Sequence, residues 1–270
     1  MRAKLLYFLV FFGVWSVAGS ALEAHRVLSL APSITEMIFE LNGQAALVGN
    51  TTACDYPHAA KQMPKVGDFL SPNLEKMKML QPDYILGMGY PKGPVRNAIQ
   101  RLGIPVRWID TPQTVSQIQD VMREVGHYIG KTKEAEKWVQ RQKDVLRHWP
   151  KPPLNPKKVV VVVWASPLIV AGSSTFIEDM VRLAGGKMAI QTQIEYPKIS
   201  AEKMIRANPD VVIVVEESQK ALLQKIPGVS RLKAVQEATV VSANLVCRPG
   251  PRWRDAVAQL SSVLKAGPKI

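Results

Sequence analysis

The chain is short of the residues on which most protein chemistry depends. It has two cysteines and four histidines in 270 residues. His25, His58, His127 and His148 are too widely spaced to read as a zinc or manganese site. No Gly-x-Ser-x-Gly elbow, no His-Glu-x-x-His pair and no phosphate-binding P-loop occurs. Gly87-Met-Gly89-Tyr-Pro-Lys-Gly93 faintly resembles a dinucleotide fingerprint, but its third glycine comes one place late and Pro91 obstructs the helix start. It reads as a plain loop. No catalytic residue, metal ligand or cofactor is expected, and the chain is read as a non-enzyme. An exported enzyme using Asp55, Asp68 or Glu216 is the alternative of another class, and it lacks a nucleophile–base set.

Blocks of like charge are absent too. The net charge is +13, but the lysines and arginines are spread along the chain. With no RNP-like aromatic motif and no zinc-finger spacing, this is a solvated basic surface and not a nucleic-acid module. Beyond the first residues no apolar run reaches membrane-spanning length. Arg2 and Lys4, the apolar stretch Leu5 to Val17 and the small residues Ala18-Gly19-Ser20 have the layout of a cleavable secretory signal peptide over residues 1–20. No cysteine follows the cleavage region, so a lipoprotein anchor is not indicated. The mature protein is expected to be an exported, periplasmic monomer. Export permits a disulfide. Cys54 and Cys247 fall in different halves, so a bridge would cross between them and needs Cα atoms within about 7 Å. Two free thiols, or thiols facing a ligand, are the alternatives.

What the chain does have is a repeat. Pro72-Asn-Leu-Glu-Lys-Met-Lys-Met-Leu-Gln-Pro-Asp-Tyr-Ile-Leu86 returns as Ile199-Ser-Ala-Glu-Lys-Met-Ile-Arg-Ala-Asn-Pro-Asp-Val-Val-Ile213. Each copy reads as a short helix, a Pro-Asp turn and an apolar strand. The period is far too long for a solenoid and points to two related lobes. Around each copy the order is similar. Arg26 to Leu30 and Val159 to Trp164 read as buried first strands. Ser33 to Glu36 and Thr175 to Glu178 have capping-box spacing, and Gly43 and Gly185 end the helices that follow. Ala46 to Gly49, Val106 to Ile109 and Thr239 to Ser242 are further strands. Strands alternating with helices predict mainly parallel sheets. Between the lobes, Ile118 to Ile129 and Ala135 to Trp149 carry apolar stripes at helical spacing, as one or two long helices lying across the body. Pro150 to Pro156 is a stiff connector. The boundaries predicted are an N-terminal lobe over residues 21–130, a linking helix and connector over 131–157, and a C-terminal lobe over 158–270. Ligand is expected in the cleft between lobes, outside the carboxyl ends of strands.

These residues resemble a known family. Arg26-Val-Leu-Ser-Leu-Ala-Pro-Ser-Ile-Thr-Glu36, Cys54-Asp-Tyr-Pro57, Pro72-Asn-Leu-Glu75 with Pro82-Asp83, Tyr196-Pro197 through Glu202, and Arg248-Pro-Gly-Pro-Arg252 occur in the order found in periplasmic substrate-binding proteins of the cobalamin, iron-siderophore and haem ABC importers. The resemblance covers the mature chain and is closest to the cobalamin-binding branch. It implies a class III periplasmic binding protein: two similar α/β lobes, each a mainly parallel central sheet flanked by helices, joined by one long backbone helix. It implies a cobalamin-like ligand held near Phe69, Met88, Tyr90, Tyr196, Asn244 and Arg248. It also implies an exposed glutamate on each lobe, Glu75 and Glu202, that docks onto a permease coupled to an ATPase. The cleft departs from the pattern at Ala53, Met88 and Ile169, where larger rings are expected, and at Asn244, where an acid is expected. Haem or a ferric siderophore is the alternative ligand, with Arg248 and Arg252 pairing its carboxylates and His58 within reach of haem iron.

Overall fold

The computed structural model describes residues 25–89 and 93–265. The proposed signal peptide and Tyr90 lie outside the described residues, and within them no helix is long and apolar enough to cross a membrane.

The N-terminal lobe runs β1 (Val27–Ser29), α1 (Pro32–Glu40), β2 (Leu47–Asn50), α2 (Leu74–Met79), β3 (Tyr84–Met88), α3 (Pro94–Gln100) and β4 (Val106–Ile109). Its four strands lie in the order β2-β1-β3-β4, all parallel. The crossing then uses two helices, α4 (Val115–Tyr128) and α5 (Thr132–Arg147), separated by Gly130 at φ 67°. The C-terminal lobe continues with β5 (Lys157–Ala165), β6 (Leu168–Val170), α6 (Phe176–Leu183), β7 (Gly186–Met188), α7 (Ala201–Ala207), β8 (Val211–Val214), α8 (Glu217–Leu223), α9 (Lys233–Gln236), β9 (Thr239–Val240), α10 (Ala243–Val246) and α11 (Trp253–Lys265). Its sheet runs β6-β5-β8-β9. β7 is parallel to the start of β5, and β6 is antiparallel to its end.

The repeat extends to single hydrogen bonds. Asn73 caps α2 by accepting from the Lys76 N–H at 2.9 Å, and Ser200 caps α7 by accepting from Lys203 at 3.2 Å. Each helix ends on a left-handed residue before proline, Gln81 at φ 45° and Asn208 at φ 40°. The aspartate after that proline then ties onto the first strand of its lobe. Asp83 accepts from the Arg26 N–H and Asp210 from the Lys158 N–H, both at 2.7 Å. The two capping-box expectations fare differently. Thr175 does cap α6, accepting from the Glu178 N–H at 3.2 Å. At α1 the cap position is Ala31, with Pro32 in the first turn and no side-chain cap. The Ser33 hydroxyl instead donates to Met88 Sδ at 3.1 Å.

Strand alternation divides the core. Val27, Val159 and Val161 face one large core that also contains Ile34 and Met37 of α1, Ile118 and Met122 of α4, Trp138 of α5, and Met180 and Leu260 of the second lobe. Leu28 and Ile85 face a smaller core in the first lobe, Val160 and Val162 another in the second. The two lobes therefore share a core, with α4 and α5 inside it. Helix α4, placed in the N-terminal lobe by a boundary at residue 130, already touches the other: its Val115 N–H donates to Asp179 at 2.8 Å. Three indoles stitch α5 and the turn that follows it to both sides. Trp138 donates to Glu40, Trp149 to the Leu183 carbonyl, and Trp253 of α11 to Gln142.

Candidate functional site

The carboxyl ends of the two sheets meet across a set of charged side chains. Glu36, on the buried face of α1, is 3% exposed. Arg252, just before α11, approaches it with both sides of its guanidinium: Nε donates to Oε2 at 2.8 Å and Nη2 to Oε1 at 2.6 Å. Arg248 Nη1 donates to the same Oε1 at 3.2 Å and to Asp55 Oδ1 at 2.6 Å, while its Nη2 reaches the Ala53 carbonyl at 3.1 Å. Asn244 Nδ2 donates to the other Asp55 oxygen at 2.9 Å. The Arg252 guanidinium also stacks on Tyr56, 3.9 Å from the ring centre. Two cations and two anions thus balance across the lobes, with the bidentate geometry that makes arginine–carboxylate pairs strong. Burial alone would raise the Asp55 carboxyl, but the hydrogen bond and charge of Arg248 outweigh it and hold it below the usual range.

The loop that presents Asp55 and Tyr56 is pinned from beneath. Lys65 Nζ donates to Asn50 Oδ1 and to the carbonyls of Thr51, Cys54 and Ala60, at 2.8 to 3.2 Å. Burial pulls the Lys65 ammonium below its ordinary value, and nearby Cys54 and Asp55 act the other way.

Both lobes expose apolar side chains, and Tyr56 lies against the network. Tyr56, Leu70, Trp164, Ile194 and Tyr196 are exposed large hydrophobic residues; Trp164 lies near the end of β5 and the others lie in loops. A hydrogen bond from Gln113 to Glu195, 3.2 Å, links the lobes again next to Tyr196. Of the residues expected to line the cleft, Tyr196 is 46% exposed. Loss of water around its phenol, with Cys247 and Glu195 nearby, pushes it up to about 12. Phe69 is half-buried, edge-on to Trp108 with centres 6.3 Å apart. Met88 is half-buried at the end of β3. Asn244 and Arg248 come together, but on Asp55. His58 is exposed at the start of a short 3-10 turn. Among the described residues no group of three or more His, Cys, Asp or Glu is placed to hold a metal. A groove of about 1330 Å³ lies between α5, the proline connector and α11, and it reaches Tyr56 and Arg252 of the network.

Residues 27–244 match the model of the family described as periplasmic binding protein. The chain belongs to the periplasmic binding protein family. It is 28% identical over 250 residues to an uncharacterized ABC transporter substrate-binding lipoprotein of Bacillus subtilis, covering 88% of this chain and 79% of the relative. It is 27% identical over 265 residues to a vitamin B12-binding protein of Vibrio cholerae, covering 94% of each. Among solved structures, a periplasmic heme binding protein from Pseudomonas aeruginosa superposes with a TM-score of 0.78 at 25% identity, covering 91% of this chain and 95% of that one. Arg248 and Arg252 lie just past the matched segment.

The other candidate residues of this periplasmic binding protein do not meet in the cleft network. Cys54 and Cys247 are both free, so the cross-lobe bridge is not formed. Cys54 is buried, its sulfur 3.2 Å from the hydroxyls of Thr35 and Thr51 inside the first lobe. Burial, and then the Glu216 carboxylate, push the Cys247 thiol up to about 11, with Arg248 opposing. Glu75 and Glu202 are exposed at the second position of α2 and α7. Hydrogen bonds from the Ser200 hydroxyl and its own backbone N–H hold Glu202 below the usual carboxylate range. The sequence reading missed Glu36, which it took for a local capping residue.

Proposed function

We propose that this binding protein is the substrate-binding component of an ABC importer and that it carries a cobalamin-like corrinoid in the cleft between its lobes. The observation that carries the ligand class is the state of the two arginines. Arg248 and Arg252 already have carboxylate partners on the opposite lobe. What is left for a ligand is exposed aromatic and aliphatic surface with a few hydrogen-bonding groups. That suits a large flat ring with a neutral, amide-bearing edge. Phe69, Met88, Tyr90 and Tyr196 supply the apolar contacts, and Asn244 and Arg248 the polar edge. The corrinoid is cargo, and the protein needs no cofactor of its own. The likeness to a vitamin B12-binding protein over nearly the whole of both chains supports this reading.

Haem is the second reading, favoured by the close superposition on a heme-binding structure. It requires haem carboxylates to displace Asp55 or Glu36 from the arginines.

The protein works in the periplasm as a monomer and delivers its ligand to a permease coupled to an ATPase. Glu75 and Glu202 are the docking carboxylates. Two exposed acids on a chain of net charge +13 give orientation and encounter rate more than affinity. The test is uptake of labelled cyanocobalamin by cells that depend on this protein. Glu75→Ala with Glu202→Ala is expected to abolish uptake while the purified double variant still binds ligand. Full uptake by the double variant would end the docking assignment.

A further inference from the structure

One acid of the cleft, Asp55, faces the opposite lobe. Asp55 sits on the loop pinned by Lys65, with 38% of its side chain exposed, against 14% for Arg248. It accepts from Arg248 Nη1 at 2.6 Å and from Asn244 Nδ2 at 2.9 Å. Both polar groups that the second lobe offers to a ligand edge are thus turned onto one first-lobe carboxylate. Resting on the reading of this cleft as the ligand site, we propose that Asp55 is a specificity-determining residue that admits amide-edged ligands and rejects carboxylate-edged ones.

Electrostatics separates the two kinds of ligand. A ligand carboxylate reaching Arg248 must replace a carboxylate that already satisfies it, so the exchange gains little. It must also come close to the displaced Asp55, at a cost for like charges in a partly desolvated site. A ligand amide meets neither obstacle. Its N–H donates to the exposed lone pairs of Asp55, and its carbonyl accepts the second N–H of Asn244. Selection of this kind works by repelling the wrong ligand as well as attracting the right one. Two further cations close to Asp55 are already engaged. Arg252 is bidentate on Glu36, and Lys65 is enclosed by four oxygens. Glu195 and Glu216 add negative charge near Tyr196 and Cys247. Lys61 acts on Asp55 from the exposed turn, and Lys198, exposed, follows Tyr196 by two residues.

The experiment measures binding of cyanocobalamin and of its monocarboxylic acid, in which one side-chain amide has been hydrolysed. The native protein is expected to bind the amide form tighter by on the order of tenfold. Asp55→Asn should narrow or reverse that ratio, and adding Arg248→Ala should remove the reversal, because the freed guanidinium is its cause. Equal binding of the two forms by the native protein overturns the inference. So does a ratio unchanged by Asp55→Asn, or a reversal that survives loss of Arg248. If the native protein binds no corrinoid, haemin and its dimethyl ester replace the pair. Tighter binding of the ester then sustains the role of Asp55 although the corrinoid reading has failed, and equal binding overturns both.

Discussion

Glu36 accepts hydrogen bonds from two guanidinium groups while 2% of its side chain is exposed. Replacing it with alanine strands Arg252, 18% exposed, and leaves Arg248 with Asp55 alone. Breaking one side of such a pair costs about 3–5 kcal/mol. Glu36→Ala is therefore expected to lower urea-unfolding stability by that order, and a loss below 1 kcal/mol would mean that the pairing is not made in solution. The cysteines give a second expectation at this scale. With its thiol pushed up to about 11, Cys247 is protonated at neutral pH, and thiolates are the reactive species. Labelling of the native protein should be slow at pH 7 and accelerate toward pH 11, with two thiols reacting once the chain is unfolded. Fast reaction of either at pH 7, or no free thiol after unfolding, would contradict this. Residue-scale roles were the least legible in the sequence. Ser33-x-x-Glu36 carries the spacing of a capping box, and nothing local announces that Glu36 meets a residue near the far end of the chain. Pro32 in the first turn moves the cap to Ala31, and that frees the glutamate to face inward.

At the scale of elements the sequence was far more readable, because the determinants lie within a few residues of each other. The short helices of the repeat, and the strands at Arg26 to Leu30, Val106 to Ile109 and Val159 to Trp164, all appear. Strands β6 and β7 were not foreseen. Each has three residues and exists by pairing with β5, so no periodicity marks it. The Pro-Asp turns make the repeat a mechanical one. Asp83→Ala and Asp210→Ala each unpair a backbone N–H at the start of a first strand. Each is expected to cost about 1 kcal/mol, with faster hydrogen exchange confined to the lobe that carries it. Equal exchange changes in both lobes would argue against separate fastenings.

Across the whole molecule, what the sequence suggested as two lobes with a crossing between them is more tightly joined. The expected one or two helices are two, and both are built into a core that draws residues from each sheet. The crossing indoles and the Glu36–Arg252–Arg248–Asp55 network fasten the lobes on two sides. A binding protein so braced presents a preformed cleft, and its specificity rests on what lines that cleft. This was only partly legible: Phe69, Met88, Tyr196, Asn244 and Arg248 were named by resemblance, whereas the neutralisation of the arginines depends on contacts between residues 193 to 216 positions apart. The most direct test is a titration of the purified mature protein with cyanocobalamin and with haemin, following ligand absorbance and tryptophan quenching. Saturable one-to-one binding of cyanocobalamin, tighter than that of haemin, is the predicted result. Tight haemin binding without saturable corrinoid binding would contradict it.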